Sequence, residues 1–290
     1  MNAARELSQF LRSRRDKLAP SAVGLVPAGV RRRVPGLRRD EVAVLAGVSV
    51  EWYTRLEQGR AKGASEEVLF GVARALKLNE IEQTHLFDLV RALGPAHRSS
   101  PARTPTVRGG LLTLLDTITG AAAIMLNEHG DVLGANTLAR ALYRDLFRSE
   151  KHGTTLNLAR FILLDPAGKA LHRDWDEVAG SVTALLRAAA GRNPYSKGLT
   201  DLVGELSTRS DFFRIRWAAH DVEPLTTGRK RFRHPDVGGL DLGYEYLTVS
   251  DSQGISILTY FAEPGTPAHD GLQLLAAVAA SGVLHGQTGS

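Results

Sequence analysis

Between Ser49 and Arg55 the chain reads S-V-E-W-Y-T-R, a run of side chains able to read the edge of a base pair. Arg55 offers the bidentate fork that matches guanine O6 and N7, and Glu51 can accept from cytosine N4. Ser49, Val50 and Thr54 are short enough to approach a groove floor, with Val50 suited to a thymine methyl. Around them stand donors for phosphate: Arg31, Arg32 and Arg33 in a row, then Arg38, Arg39, the Tyr53 hydroxyl, Arg60 and Lys62. Such contacts position a protein on a duplex without reading it. Each has a plainer alternative. Arg55 can pair with Glu51, four residues back on an exposed helix. The Arg run can be solvated surface, and Tyr53 can pack rather than touch phosphate. Glu57, near the end of the stretch, suits a structural hydrogen-bond partner better than a base reader.

These residues need two short helices to present them. In R-R-D-E-V-A-V-L-A-G-V-S, Val42, Leu45 and Ala46 make one apolar stripe at helical spacing. Gly47 takes the left-handed conformation that ends such a helix, and Ser49 stands where an N-cap belongs. Trp52 and Leu56, four apart, are expected to face the core, and Gly59 closes the second helix. Helix, Gly-containing turn, helix with a polar outer face is the order of a helix-turn-helix, whose second helix fits the major groove.

The charge supports this. Residues 1–98 hold 17 Lys+Arg against 11 Asp+Glu, and the other 192 of the 290 residues hold 19 against 20. The basic excess sits in the first third, as an anion-binding module on a neutral partner would have it. Cysteine is absent, so no disulfide framework or thiolate chemistry is available. No run of eighteen apolar residues spans a membrane and the N-terminus lacks a signal-peptide core, so a cytoplasmic protein without a membrane partner is expected, nucleoid-associated when on DNA.

Five helices are expected over residues 1–93, with a long loop at 19–37 that contains the Arg run. The stretch 94–109 reads as a linker. Residues 110–290 change texture: a helix near 111–118, a strand, a His-Gly turn and a second strand, then helices starting at Asn136 and after Asn157, at 174–191, 198–208 and 210–220. Three alternating strands and a final helix at about 270–281 close the chain. The expected fold is an all-α helix-turn-helix bundle followed by an α+β domain with an antiparallel sheet and helices over one face.

That second domain carries no G-x-S-x-G, H-E-x-x-H, P-loop or G-x-G-x-x-G, and its histidines lack ligand spacing, so neither a catalytic site nor a metal site is expected. It is rich in aromatics, most of them core residues. A sheet face under helices bearing them can still hold an apolar pocket with polar groups at its mouth. The candidate lining is Phe161, Phe212, Phe213, Trp217, Tyr244 and Tyr246, with Arg214, Arg216, His220 and Tyr244 as partners for a ligand carboxylate.

The stretch LAGVSVEWYTRLEQGR resembles the Cro/C1-type (XRE) helix-turn-helix repressors. The longer RRRVPGLRRDEVAVLAGVSVEWYTRLEQGR, with DWDEVAGSVTALLRAAAGRNP, ELSTRSDFFRIRWAAHDV and HPDVGGLDLGYEYL further on, resembles the MmyB-like transcriptional regulators over residues of about 5–280. The resemblance implies a PAS-like ligand-binding and dimerisation domain at 110–290, with a fatty-acid-like molecule as a possible bound effector and no other cofactor. It also implies a homodimer on a palindromic operator in double-stranded DNA. Two other readings stay open. The second domain is a ligand-free dimerisation or interaction module, or it is an enzyme tethered to DNA.

Overall fold

The computed structural model describes residues 2–25, 34–60, 63–94, 107–148, 155–221, 227–250 and 254–285, with side chains described through 281. Arg31, Arg32, Arg33, Lys62 and most of the expected linker lie outside the described residues. The chain forms two compact units. The first comprises Met1–Ser100, Thr183–Val203 and Ile215–Pro224, the second Pro101–Val182, Gly204–Arg214 and Leu225–Ser290.

The first unit contains the expected five helices: α1 Ala3–Lys17, α2 Arg39–Ala46, α3 Val50–Glu57, α4 Glu66–Ala75 and α5 Glu80–Arg91. Their boundaries are written in side chains. Ser49 Oγ accepts from the Trp52 N–H at 3.1 Å, and Asn79 and Glu82 form a reciprocal capping box on α5. Gly47, at φ 70°, ends α2 in the left-handed region that only glycine enters at little cost. The core is Leu7, Phe10 and Leu11 of α1 against Val42, Leu56, Leu69, Val72, Leu86 and Leu89.

This unit also takes residues that follow the expected linker by more than seventy positions. Helix α11, Trp175–Arg192, and helix α12, Lys197–Arg209, contribute residues 183–203, and helix α13, Asp211–Ala218, contributes its last turn. A division of the chain at 94–109 does not anticipate this.

The second unit is built on a five-stranded antiparallel sheet in the order β2-β1-β5-β4-β3. The strands are β1 Ala122–Leu126, β2 Val132–Ala135, β3 Thr227–His234, β4 Gly238–Thr248 and β5 Ser256–Phe261. Helix α6, Gly109–Thr117, precedes the sheet. Between β2 and α11 come α7 Thr137–Leu142, α8 Arg144–Arg148, α9 Leu158–Leu164 and α10 Pro166–Leu171, and α14, Pro267–His285, follows β5.

Helices over one face were expected; the second face is also covered at β1 and β5, while β3 leaves it open at alternate residues. All five residues of β1 are buried, and a continuously apolar strand needs a cover on each side. Leu115 of α6 packs with Ala123, Met125 and Ile257 on one face. On the other face α7 packs on β1, α10 on β3 and α14 on β4. The turn between β1 and β2 is the expected one. Asn127 Oδ1 accepts the N–H groups of His129 and Asp131, both at 2.9 Å.

Asn136 holds this end of the sheet. It is buried, and its side chain accepts from the N–H groups of Ala123 (3.0 Å) and Ala139 (2.9 Å). It also donates to the carbonyls of Ile118 (2.7 Å) and Ala121 (2.8 Å). Asn136→Ala orphans all four backbone groups, so it should destabilise the second unit by roughly 2–4 kcal/mol. Urea unfolding followed by circular dichroism measures this.

Candidate nucleic-acid interface and ligand site

Helix α3 divides into two faces. Val50, Glu51 and Arg55 are exposed, Ser49 is exposed at the cap and Thr54 is half-buried. No ion pair joins Glu51 to Arg55 among the described residues, so the outer face is not self-neutralised there. Arg60 is exposed just past the helix, while Arg38 is half-buried at the N-cap of α2, its N–H donating to Glu41 at 2.7 Å.

The inner face differs from expectation by one residue. Tyr53 is 0% exposed, its hydroxyl buried beside the Glu57 carboxylate, so it packs and does not reach phosphate. Burial raises its phenol well above the usual range. Trp52, expected deep in the core, is half-buried at its edge.

Glu57 is also 0% exposed. Its carboxylate accepts from Arg15 Nε at 3.0 Å and from Arg39 Nε and Nη2 at 2.9 and 2.8 Å, with Arg12 Nε at 3.4 Å. The structural role expected of Glu57 holds. Arg39, expected on phosphate, is instead engaged by this carboxylate, which keeps its guanidinium raised. Arg15, from α1, was not anticipated at all, since it lies 42 residues from its partner in sequence.

A second buried cation organises the rest of this unit. Arg187 of α11 is 1% exposed. Its guanidinium donates to Glu6 Oε2 at 3.0 Å, to His220 Nδ1 at 2.8 Å and to the Trp217 carbonyl, and it lies 4.0 Å over the Trp217 ring. Burial lowers its pKa to about 10 despite the Glu6 carboxylate. Arg14 meets Asp221 at 3.1 Å and Glu82 at 2.9 Å and also donates to the His220 carbonyl. Trp217 and His220 are therefore framework of the DNA-reading unit, not lining of a ligand pocket, and Arg216 belongs to the same unit.

The other ligand candidates separate in the second unit. Phe213 is fully buried core, Phe212 stacks on Trp175 at 4.8 Å, and Arg214 is exposed and paired with Asp211 at 2.8 Å. The sheet face under the helices is filled by Tyr143, Phe161, His172, Phe232 and Tyr260, with the Tyr143 and Tyr260 hydroxyls 2.7 Å apart. Tyr244 is buried against Tyr260, and Tyr246 is half-buried opposite Leu258.

A cavity of about 450 Å³ opens beside Leu146, Leu156, Phe161 and Leu164, with Arg160 and Arg209 at its edge. Both arginines are already held by Glu205, at 2.7 Å each. A much smaller cavity, about 30 Å³, lies among Asp174, Glu177, Val178, Ser181, Lys230 and Tyr244. Lys230 was missed. Its signal was parity: in R-K-R-F-R-H it shares the inward phase with Phe232 and His234.

An exposed reading face on a helix-turn-helix, joined in one chain to a separate α+β unit, defines a DNA-binding transcriptional regulator. Residues 6–86 match a helix-turn-helix domain family. Residues 107–275 match the MmyB-like transcription regulator ligand binding domain, more than half of the chain, and the protein belongs to that family. Both families are regulatory. No curated protein matches the chain. No helix among the described residues is long and apolar enough to cross a membrane.

Glu57→Ala should destabilise the first unit by about 3–5 kcal/mol, because it leaves the buried Arg15 with only the exposed Asp16 carboxylate as counter-charge. Glu57→Gln should cost less, and the two melting curves test the order. Acid should act on the same unit. Burial lowers His85 and His220 each to about 3, and His172 of the second unit to about 4. The unfolded chain takes up these protons near pH 6.5 and the folded chain does not. Their contribution is therefore complete above pH 6.5 and is lost as pH falls from 6.5 toward 4. Urea midpoints at pH 7, 5.5 and 4.5 should fall in that order, and His85→Phe should flatten the trend.

Proposed function

We propose that the protein regulates transcription as a homodimer on a palindromic operator, under control of a small apolar, fatty-acid-like effector taken by the C-terminal domain. Ser49, Val50, Glu51, Thr54 and Arg55 read bases. Arg38, Arg60, Lys62 and the Arg31–Arg33 run lie on phosphates, with Arg39 shared between phosphate and Glu57. The observation that carries the reading is the free outer face of α3, with Arg55 and Glu51 exposed and unpaired with each other. The match to a ligand-binding domain family supports the effector. Two-fold symmetry places half-sites about 10 bp, or a multiple of it, apart. The effector alters DNA affinity only if it binds one dimer arrangement better than another. The protein acts in the cytoplasm, associated with the nucleoid when on its operator.

The test is binding-site selection from random DNA, then titration at several salt concentrations. Arg55→Ala should lose roughly 1–3 kcal/mol of discrimination at one base position. Arg60→Ala should weaken all sequences alike and reduce the salt slope by about one. Identical behaviour of the two variants would sink the division into readers and positioners. Native mass spectrometry of the purified protein reads the dimer mass and any retained molecule.

A further inference from the structure

Helix α14 carries one charged residue, Asp270, in its first turn. From Gly271 to Leu284 it holds no Asp, Glu, Lys or Arg. Leu272 and Leu275 are buried, where the helix packs on α7 and β4. The opposite side is open. Leu274 is 53% and Val278 43% exposed, and Ala277, Ala280 and Ser281 are exposed with them. A helix that is apolar all round is normally covered all round, and α14 is covered on one side.

Leu274, Ala277, Val278 and Ser281 follow one another at i, i+3, i+4 and i+7 and form a single stripe. The Ser281 hydroxyl donates to the Ala277 carbonyl at 2.9 Å, so its donor is met before it enters an apolar contact. Leu247 and Phe261, the exposed apolar residues of the sheet, have different company. By strand alternation they share their face with Arg229, Asp241 and Glu245.

The spacing of the α14 stripe fits a second copy of itself. A two-fold axis between 277 and 278 sets two antiparallel helices so that Leu274 meets Ser281 and Ala277 meets Val278. Each large side chain then faces a small one across the seam, as a self-complementary contact requires. Charge argues against other occupants. The stripe offers nothing to DNA, to an acidic or basic peptide, or to an anionic membrane, whose surface helices present Lys and Arg. Gly271–His285 spans about 22 Å. One helix pair of that length buries less than the roughly 1,200 Å² of a stable interface. The contact is therefore weak and concentration-dependent, and two copies held on one operator complete it.

We infer that the outer stripe of α14 is the contact between two copies of the chain. This rests on the homodimer reading above. Its test is sedimentation velocity of the full chain from about 1 to 100 µM, the range of a weak contact, in wild type, Val278→Glu and, as control, Leu247→Glu. Wild type should associate as concentration rises. V278E should weaken association by about tenfold or more, and L247E should match wild type. V278E alters an exposed site, so it should melt as wild type does where both are monomeric. Disulfides test the register, since the chain has no cysteine of its own. Leu274→Cys combined with Ser281→Cys should cross-link two copies under mild oxidation. The two positions lie about 10 Å apart within one helix, too far to bridge each other. Either cysteine alone should cross-link far less, because like positions of the two copies are also about 10 Å apart along the seam.

The inference is overturned, with the homodimer left standing, if V278E associates as wild type does, if L247E rather than V278E loses association, or if a single cysteine cross-links as well as the pair. A lower melting point of V278E where both proteins are monomeric overturns it too, because the stripe is then covered within its own chain. So does monomeric wild type that sediments with neutral lipid vesicles when V278E does not. Wild type that stays monomeric throughout, alone and with a selected operator duplex, rejects the homodimer reading and this inference with it.

Discussion

A guanidinium with almost no access to water is tolerable only when a counter-charge and acceptors are brought to it. Arg187 is such a group, and the first unit is assembled on its terms. Glu6 supplies the charge from α1, Trp217 a carbonyl and a ring face, and His220 a lone pair on Nδ1. That last demand fixes His220 as neutral, in agreement with its lowered pKa. Losing one partner leaves the charge buried and uncompensated, which costs more than the pair itself is worth. The helices near the N-terminus and the segments at 183–203 and 215–224 therefore come together or not at all. Those later segments fall within 107–275, the span matched to the ligand binding domain. The helix-turn-helix unit therefore borrows part of its framework from the sequence matched to the ligand binding domain.

Glu57 does for the reading helix what Arg187 does for the whole unit. By drawing Arg15 and Arg39 onto one buried carboxylate it ties α1, α2 and α3 together and fixes which side of α3 faces in. The outer side then holds Val50, Glu51 and Arg55 in the open. Readers must be short of partners in the free protein if they are to find them on DNA, and the inner network meets the structural needs of the helix without them. Arg39 serves the network from the surface through Nε and Nη2, which leaves its other N–H donors for a further acceptor.

Much of this was legible in the sequence because it is local. Caps at Ser49 and Asn136, the Gly47 stop and the alternation of β3 are short-range rules with short-range causes. Tyr53 shows the limit of that reasoning. Adjacent helix positions differ by about 100°, and Trp52 against Tyr53 is decided by what packs above them. Helix α6 on the second sheet face followed from the unbroken apolar run of β1, which was read only as a strand. Arg15 with Glu57 and Arg187 with Glu6 were illegible for another reason. Their partners lie 42 and 181 positions apart, and no periodicity reports such a pairing. Lys230 is intermediate. Its inward phase was visible in R-K-R-F-R-H, but a lysine is assumed to be outside unless the alternation is taken literally.

The expectation of a single linker at 94–109 made communication between the halves a question about one tether. The chain instead passes between the two units five times. One passage lies inside α11, where Val178 and Ser181 wall the small cavity and Arg187, nine positions after Val178, anchors the DNA-reading unit. A ligand of the second unit can act on DNA affinity only through a difference in its own affinity between conformations of the chain, since a molecule that binds every conformation equally shifts none of them.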